Sequence, residues 1–229
     1  MQEVTRALRS LSAGYVDGRR DIVQRSLDTR GKRAAFALYY APLHFLAIDF
    51  IIRALNAQVA APDSILDIGC GTGAAGAAWA LAAGGAPGIN GIDRHPWAVE
   101  EARWTYRTLG VRGRARRSDR IRIHTGDTGI VAAYVLNELP EPARHSLEDS
   151  LVDAAARGSR ILVVEPVSRR VTPWWDATAS RLAGASARAD EWRFRVELPP
   201  ILRLLDKAAG LDHRELTARS IYCAGQPEA

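Results

Sequence analysis

The stretch SILDIGCGTGAAG, residues 64–76, places four glycines within eight positions directly after a short apolar run. Glycine loses more conformational freedom on folding than other residues, so such a cluster indicates a tight turn or a close approach to the backbone. The segment GTGAAG at 71–76 matches the GxGxxG pattern of dinucleotide-binding folds, and Asp93 follows where an acid that binds ribose is expected. Two classes of nucleotide cofactor use this kind of turn, so the pattern alone leaves both open.

From residue 61 onward, short apolar runs alternate with amphipathic stretches, which predicts a parallel sheet with helices on both faces. Two late β-like segments within 213–225 have no helix between them, so they are expected to be antiparallel neighbours. The predicted fold class is α/β, a Rossmann-like doubly wound seven-stranded sheet, mostly parallel, with an antiparallel last strand. The other predicted strands are SILDI at 64–68, GINGID at 88–93, RIRIHTGD at 120–127, IVAAYVL at 130–136 and RILVVEP at 160–166.

Residues 1–60 show apolar residues at three- and four-residue spacing, which predicts a helical N-terminal extension or lid before a core domain at 61–229. The uncharged span between Asp67 and Asp93 is rich in Gly and Ala and contains Pro87, so we expect buried soluble structure and no membrane span. The N-terminus lacks the features of a secretory signal, and two cysteines are too few for a disulfide framework. A cytoplasmic protein is therefore expected.

An acid precedes the glycine turn, so that Asp67, Gly69, Gly71 and Gly73 form a DxGxGxG arrangement. This arrangement resembles the first motif of class I S-adenosylmethionine-dependent methyltransferases. The long helical segment before the first strand and the late antiparallel pair are similar to that class as well, whereas NAD domains often begin at the strand. The resemblance implies an enzyme with S-adenosylmethionine as its cofactor, and NAD is the alternative.

The same resemblance implies which residues contact the cofactor. Asp67 is expected to help hold the ammonium group, and Asp93 to accept hydrogen bonds from the ribose hydroxyls. Asp127, with Thr128 beside it, is expected to contact the adenine after the third strand. The full predicted set is Asp67, Gly69, Cys70, Gly71, Gly73, Asp93, Arg94, Asp127, Thr128 and Asn137.

The segment YVLNELP at 134–140, together with ILVVEP at 161–166, resembles the ribosomal small-subunit-associated methyltransferase-like family. Members have a class I methyltransferase core and are linked to assembly of the small ribosomal subunit. They typically carry a cysteine cluster after the EP strand, but residues 166–222 here contain no cysteine. Metal binding is therefore not expected, and a shortened relative with a different acceptor is possible on this pattern.

Six arginines lie within 112–122 against a single acid, Asp119, and the net charge is +5. Arginine binds phosphate with a planar fork of donors, so this predicted loop indicates ribosomal RNA or the small ribosomal subunit as partner, although a solvated arginine-rich loop has the same composition. Candidate proton acceptors are Glu138 and His145, with Glu165 as a further acid at a strand end. The predicted acceptor-binding residues are Tyr39, Tyr40, Trp174, Trp175, Arg114, Arg116 and Arg117.

Three functions are consistent with these features. The first is methylation of RNA or a ribosomal component, with the arginines holding phosphates. The second is methylation of a small molecule in an aromatic pocket that contains the two tryptophans. The third is a non-catalytic assembly factor that binds S-adenosylmethionine. The sequence leaves the oligomeric state open.

Overall fold

Seven strands form one mixed sheet in the order β3-β2-β1-β4-β5-β7-β6, and the predicted fold class is confirmed. The structure is a computed structural model and describes residues 2–17, 27–59, 61–123 and 128–225. The first five strands are parallel, and β7 runs antiparallel to both β5 and β6. The strands are β1 Ser64–Ile68, β2 Gly88–Asp93, β3 Gly113–Arg117, β4 Thr128–Ala133, β5 Arg160–Glu165, β6 Arg188–Arg195 and β7 Glu215–Cys223.

Eight α-helices are described around this sheet. Two shorter helical types accompany them: a π-helical turn at Phe36–Tyr40, and 3-10 turns at Leu136–Glu138 and Ala183–Ala185. The α-helices are α1 Gln2–Asp17, α2 Arg30–Ala35, α3 Ala41–Ala54, α4 Ala74–Ala82, α5 Pro96–Thr108, α6 Glu141–Ala156, α7 Trp175–Leu182 and α8 Pro200–Ala209.

The central strands β1, β4 and β5 are buried almost throughout, as expected for strands covered by helices on both faces. Ile65, Val131 and Leu162 face one core, which contains Trp79 of α4. Leu66, Ile130 and Val163 belong to the other core, together with residues of α6 and α7. The alternation of side chains along each strand therefore separates the two layers of helices.

The third strand differs from the prediction. It is GRARR at 113–117, whereas residues 121–123 of the predicted strand RIRIHTGD have no regular structure and 124–127 lie outside the described residues. β3 is an edge strand that pairs only with β2, so most of its side chains can be charged and exposed without cost to the core. Part of the predicted arginine loop, with three of its six arginines, is therefore an edge strand.

The last antiparallel pair also differs in its position. β7 is one continuous strand at Glu215–Cys223 instead of two segments, and its antiparallel partner at the sheet edge is β6 at Arg188–Arg195, which lies before the predicted pair in the chain. Along β6, Trp192 and Phe194 are less exposed than the charged residues that flank them in the strand, which are Glu191, Arg193 and Arg195. This period-two pattern is that of a half-buried strand.

The helical stretch Arg30–Ala54 is long and apolar enough to cross a bilayer by length and composition, with a mean hydropathy of 1.6. In this fold its last part, α3, packs against α4, and Ile48, Ile51 and Ile52 lie in the same core as Trp79. The predicted domain boundary near residue 60 stays a prediction, since this core contains side chains from both sides of it.

Candidate functional site

A cleft of about 360 Å³ lies at the carboxyl ends of β1, β2 and β4. Open α/β sheets bind their ligands at this edge. Its lining combines the glycine turn, the end of β2, the chain after β3, the turn after β4 and the N-terminal helices. The polar and aromatic lining residues include Phe36, His44, Thr72, Asp93, Arg94, His95, Ser118, Asp119, Tyr134 and Glu138.

The glycine turn connects β1 to α4 and leaves its backbone open to the cleft. Gly69 and Gly73 have φ values of +62° and +82°, which L side chains rarely adopt. A Cβ at Gly69 would lie 2.6 Å from Val135 Cγ2, and one at Gly73 would lie 2.6 Å from Tyr106 Cε1. Both positions therefore require glycine for conformation and for packing.

Asp67 lies beneath this turn rather than in the cleft. Its side chain is buried, and its Oδ2 accepts a hydrogen bond of 2.9 Å from the N–H of Gly76. Burial raises the pKa of Asp67 to about 7, although the Gly76 N–H lowers it. This placement corrects the predicted contact with an ammonium group, because the carboxyl supports the first turn of α4 instead.

Asp93 ends β2 and lines the cleft. Its Oδ2 accepts a hydrogen bond of 2.9 Å from the N–H of Gly71, and its Oδ1 accepts one of 2.7 Å from the N–H of His95. A carboxylate oxygen has two lone pairs, so each oxygen can accept one further hydrogen bond. Asp93 is thus held in place by the glycine turn while it remains able to bind two hydroxyls.

The turn after β4 brings one carboxyl group to the cleft, and the end of β5 places another behind it. Glu138 is half-buried in the lining, and burial raises its pKa to about 8, with Arg94 acting in the opposite direction. Behind it, Glu165 Oε1 accepts hydrogen bonds from the N–H groups of Leu136 and Asn137. Burial raises the pKa of Glu165 to about 8 as well. A carboxyl with a pKa near 8 can exchange a proton at neutral pH.

Aromatic rings form one wall of the cleft. His44 of α3 stacks on Tyr134 at the end of β4, with ring centroids 4.1 Å apart and planes 23° from parallel. Phe36 of the π-helical turn meets His44 edge-on at 6.0 Å. Neither His44, Tyr134 nor Phe36 is identified by the sequence patterns, since the contacts join positions far apart in the chain.

The cleft fits S-adenosylmethionine in two respects. Asp93 offers acceptors for ribose hydroxyls, and Gly69 and Gly71 bring backbone without side chains to the lining, where a nucleoside can lie. When bound, this donor supplies an electrophilic methyl group on a positively charged sulfur. The reaction then depends on holding a nucleophile in line with that methyl group.

Comparison with known proteins agrees with this geometry. Residues 47–137 match the family model Methyltransferase small domain, which spans the end of α3 through the turn after β4. The chain has the Rossmann-like fold of the S-adenosylmethionine-dependent methyltransferase class. The donor of this class is S-adenosylmethionine, so the predicted enzyme class and cofactor are confirmed. Membership of the ribosomal small-subunit-associated family stays a prediction.

Solved structures share the fold at low sequence identity. An O-methyltransferase family protein from Burkholderia thailandensis has a TM-score of 0.59 at 14% identity, covering 90% of this chain and 64% of its own. A candidate O-methyltransferase from Nostoc punctiforme has a TM-score of 0.56 at 17% identity, covering 97% and 70%. The N-methyltransferase NodS from Bradyrhizobium japonicum, in complex with S-adenosyl-L-homocysteine, has 0.53 at 16% identity, covering 80% and 87%. No curated protein sequence matches the chain significantly.

The methyltransferase cleft brings together six of the predicted site residues. These are Gly69, Cys70, Gly71, Asp93, Arg94 and Glu138. Asn137 lies behind the lining, where its side chain is buried and its Oδ1 has no hydrogen-bond partner in the part of the chain that the structure describes. Gly73 belongs to the turn, and its N–H donates to the carbonyl oxygen of Cys70 at 2.7 Å.

The predicted adenine contact needs a correction. Thr128 begins β4 opposite Ser64, so it lies at the amino ends of the strands and away from the cleft. Asp127 lies outside the described residues. Because β3 ends at Arg117, the residues that follow the third strand are Ser118 and Asp119, and both line the cleft. Recognition of GRARR as an edge strand would have identified them.

The predicted acceptor aromatics lie elsewhere. Trp175 is buried in the core beside α6, with the Arg219 guanidinium 5.2 Å from its ring, and Trp174 packs beside Arg144. These tryptophans therefore pack the fold instead of lining the cleft. Tyr40 contacts Phe36 and His44 but stands behind them.

Tyr39 takes part in a polar cluster remote from the glycine turn. Its side chain is fully buried, its hydroxyl donates to the carboxylate of Asp206, and the same oxygen lies 2.8 Å from His213 Nδ1. His213 also donates its backbone N–H to Asp206 Oδ2 at 2.9 Å. Burial opposes ionisation of Asp206, but these donors outweigh it and lower the pKa of that carboxyl. The cluster joins the π-helical turn to α8 and to the loop that precedes β7.

The remaining catalytic candidate, His145, is exposed on α6 and lies outside the lining that the described residues form. Of the predicted arginines, Arg114 and Arg116 line a second cavity of about 400 Å³ on one face of β1, β2 and β3. Arg117 lies at the carboxyl end of β3, and its Nε donates to the carbonyl oxygen of Arg94 at 3.1 Å. Arg117 is thus at the rim of the methyltransferase cleft.

Proposed function

We propose that this methyltransferase acts on RNA. The observation that supports this proposal is the arginine-bearing edge strand at the rim of its cleft. Six arginines are exposed along and beside β3, and within the described residues no carboxylate forms an ion pair with any of them. They are Arg112, Arg114, Arg116, Arg117, Arg120 and Arg122. A run of unneutralised guanidinium groups attracts a phosphate backbone.

The arginine strand is connected directly to the donor site. The N–H of Ser118 donates to the carbonyl oxygen of Asp93 at 3.0 Å, and Arg117 bonds to the carbonyl oxygen of Arg94. In register, Arg116 and Arg117 stand beside Ile92 and Asp93 of β2. Phosphates held along β3 would therefore lie next to the nucleoside-binding end of the cleft, which favours an acceptor supplied by the same RNA chain.

Glu138 is the proposed proton acceptor. It is a carboxyl group of the cleft with a pKa raised to about 8 by burial, so a fraction of it is ionised at neutral pH. A nucleophile that loses a proton on methylation needs such a group within hydrogen-bond reach. His145 does not share this position.

The resemblance of YVLNELP to the ribosomal small-subunit-associated family makes ribosomal RNA the first acceptor to test. The proposal places the enzyme in the cytoplasm, with the small ribosomal subunit as the partner that presents the RNA. Methylation of a small molecule is the competing function, and it predicts a different dependence on salt.

The test is transfer of a radiolabelled methyl group to total RNA, isolated ribosomal subunits and a metabolite extract in parallel. We expect label in RNA, with RNA affinity that falls steeply as salt rises because bound phosphates release counterions. Label only in the metabolite extract overturns the RNA proposal. RNA binding with no transfer to any of the three substrates overturns it too, in favour of a non-catalytic assembly factor.

A matched pair of triple variants tests the arginine strand. Arg114, Arg116 and Arg117→Gln removes three charges from β3, whereas Arg193, Arg195 and Arg203→Gln removes three exposed charges around the opposite sheet edge. We expect the first variant to lower the slope of log affinity against log salt by about two, since each single-strand phosphate contact contributes about 0.7. Equal effects of the two variants would mean that only net charge matters.

A further inference from the structure

The stacked pair of His44 and Tyr134 joins two distant parts of the chain at the cleft. The rings are nearly parallel at 4.1 Å, and both line the cleft beside Val135 and the glycine turn. Aromatic pairs in protein cores favour offset or edge-on contacts, so a close parallel pair at a ligand site is suited to continue a stack. None of the sequence patterns described above predicts the site that these two rings form.

The backbone holds Tyr134 in an unusual conformation. Its φ is +58°, in the left-handed region that bulky residues rarely adopt, and its N–H donates to the carbonyl oxygen of Val164 at 2.8 Å. Strain of this kind costs about 1–3 kcal/mol and persists where the surroundings require it, often at ligand sites. The turn directs the ring of Tyr134 to His44 instead of along the strand.

Two further contacts fix the His44 side of the pair. Phe36 meets His44 edge-on with planes 82° apart, and its ring lies about 3.6 Å from where a Cβ on Gly71 would be. Phe36 belongs to the π-helical turn, and single π-helical turns inside α-helices frequently occur at functional sites. The aromatic wall is therefore packed against the same turn that takes the donor.

The imidazole of His44 is uncharged at neutral pH, because burial lowers its pKa to about 4. A neutral ring attracts another planar ring by dispersion and stacking, and it does not attract phosphate by charge. The charges that hold phosphates lie on β3 instead. The cleft thus separates a cationic rim from a neutral aromatic wall.

We propose that His44 and Tyr134 are the platform on which the planar ring of the acceptor stacks, so that the substrate class is a nucleobase of the RNA and not its ribose or phosphate. This inference rests on the proposed function, since it names the part of the RNA that enters the same cleft. Phe36 is a positioning residue that holds His44 edge-on. Base–aromatic stacking contributes binding that tolerates different bases, because every base has a π-face.

The experiment compares the RNA hexamer A6 with a hexamer of equal charge that lacks its bases, each titrated with S-adenosylhomocysteine in excess. Wild type is expected to prefer A6 by about tenfold, the size of one stacked base. His44→Leu should remove most of this preference, whereas His44→Phe, which keeps a ring, should retain it. Equal binding of the two hexamers by wild type overturns the platform while leaving an RNA partner intact.

A second readout tests whether the aromatic wall contacts the donor and not the acceptor. S-adenosylmethionine is a sulfonium cation and S-adenosylhomocysteine is neutral, so an aromatic wall that serves the donor would distinguish them by cation–π attraction. We expect His44→Leu to leave both affinities within about twofold of wild type, well below the tenfold that corresponds to 1.4 kcal/mol. Selective loss of affinity for the methylated form would assign the wall to the donor and overturn the proposal.

A third arm separates this inference from the proposed function. If neither hexamer binds, the RNA proposal fails, and the wall is tested with cytidine and guanosine by saturation-transfer NMR with S-adenosylhomocysteine present. Saturation of the base protons that is retained in His44→Phe and lost in His44→Leu supports a platform for planar rings. Base-proton signals that are the same in wild type and His44→Leu, or absent from wild type, overturn it.

Discussion

Glu165 Oε1 accepts a hydrogen bond of 2.8 Å from the N–H of Leu136, so the end of β5 holds the turn that carries Glu138 into the cleft. The other carboxyl oxygen of Glu165 is buried and has no hydrogen-bond partner among the described residues. A buried, ionised oxygen without a partner is costly, which is why the protonated form is favoured.

Glu165→Gln should flatten the dependence of stability on pH. With its pKa raised to about 8, folded Glu165 keeps a proton that the unfolded chain releases near its ordinary value, so the free energy of unfolding falls as pH rises from about 5 to 8. One such group changes the slope by up to roughly 1.4 kcal/mol per pH unit. Urea unfolding at several pH values measures it. Glu197→Gln, which alters a carboxyl that is 90% exposed, should leave the slope as in wild type.

Asp93→Asn should weaken binding of both S-adenosylmethionine and S-adenosylhomocysteine by roughly tenfold or more, since hydrogen bonds to a charged group contribute about 1.5–3 kcal/mol each. The amide also replaces an acceptor of the Gly71 or His95 N–H with a donor. Isothermal titration calorimetry measures the change. Asp63→Asn is the control for charge, because Asp63 is an exposed acid that does not line the cleft. Equal losses in the two variants would contradict a specific role of Asp93.

Gly73→Ala should destabilise the fold far more than Gly84→Ala. The glycines have φ values of +82° and +73°, so both variants carry backbone strain of roughly 1–2 kcal/mol. At Gly73 the new Cβ would meet Tyr106 at 2.6 Å and the Cα of Ala102 at 3.2 Å, whereas at Gly84 none of the described residues lies within 4 Å of it. The clash should add about 1–3 kcal/mol in denaturant unfolding. Similar losses at the two sites would mean that Tyr106 can move aside.

Trp175→Leu should lower stability by roughly 2–4 kcal/mol and leave methyl transfer unchanged below the unfolding temperature, because the side chain fills the core. Trp104→Leu, at a side chain that is 56% exposed, should change stability by less than about 0.5 kcal/mol. Thermal melts and the KM for the RNA acceptor measure both effects. A raised KM in Trp175→Leu, with stability unchanged, would indicate that this tryptophan belongs to the acceptor site.

The central strands and the glycine turn could be predicted because each is a local pattern. SILDI and RILVVEP are apolar runs that end at polar or turn residues, and buried parallel strands have that composition. The edge strand GRARR lacks this signal because only Ala115 is buried in it. The sequence pattern also fails to predict the strand β6, because the residues on its outer face are charged.

The residues of the site also divide into those that the sequence predicts and those that it does not. Asp93 and Glu138 follow strand ends, so topology alone brings them to the cleft. The stack of His44 on Tyr134 depends on how α3 crosses the sheet, and no spacing within either segment encodes that crossing. Asp67 was assigned to the donor since its position in the motif is visible in the sequence, whereas the direction of its side chain is not.

The cluster of Tyr39, Asp206 and His213 has a consequence for biosynthesis. Tyr39 and Asp206 are 167 positions apart, and the π-helical turn that carries Tyr39 also carries Phe36 of the aromatic wall. A nascent chain on the ribosome can form β1, β2 and the glycine turn early, but it cannot form this anchor until α8 and the loop after it have emerged. The aromatic wall is therefore anchored only after residues 206–213 have been synthesised.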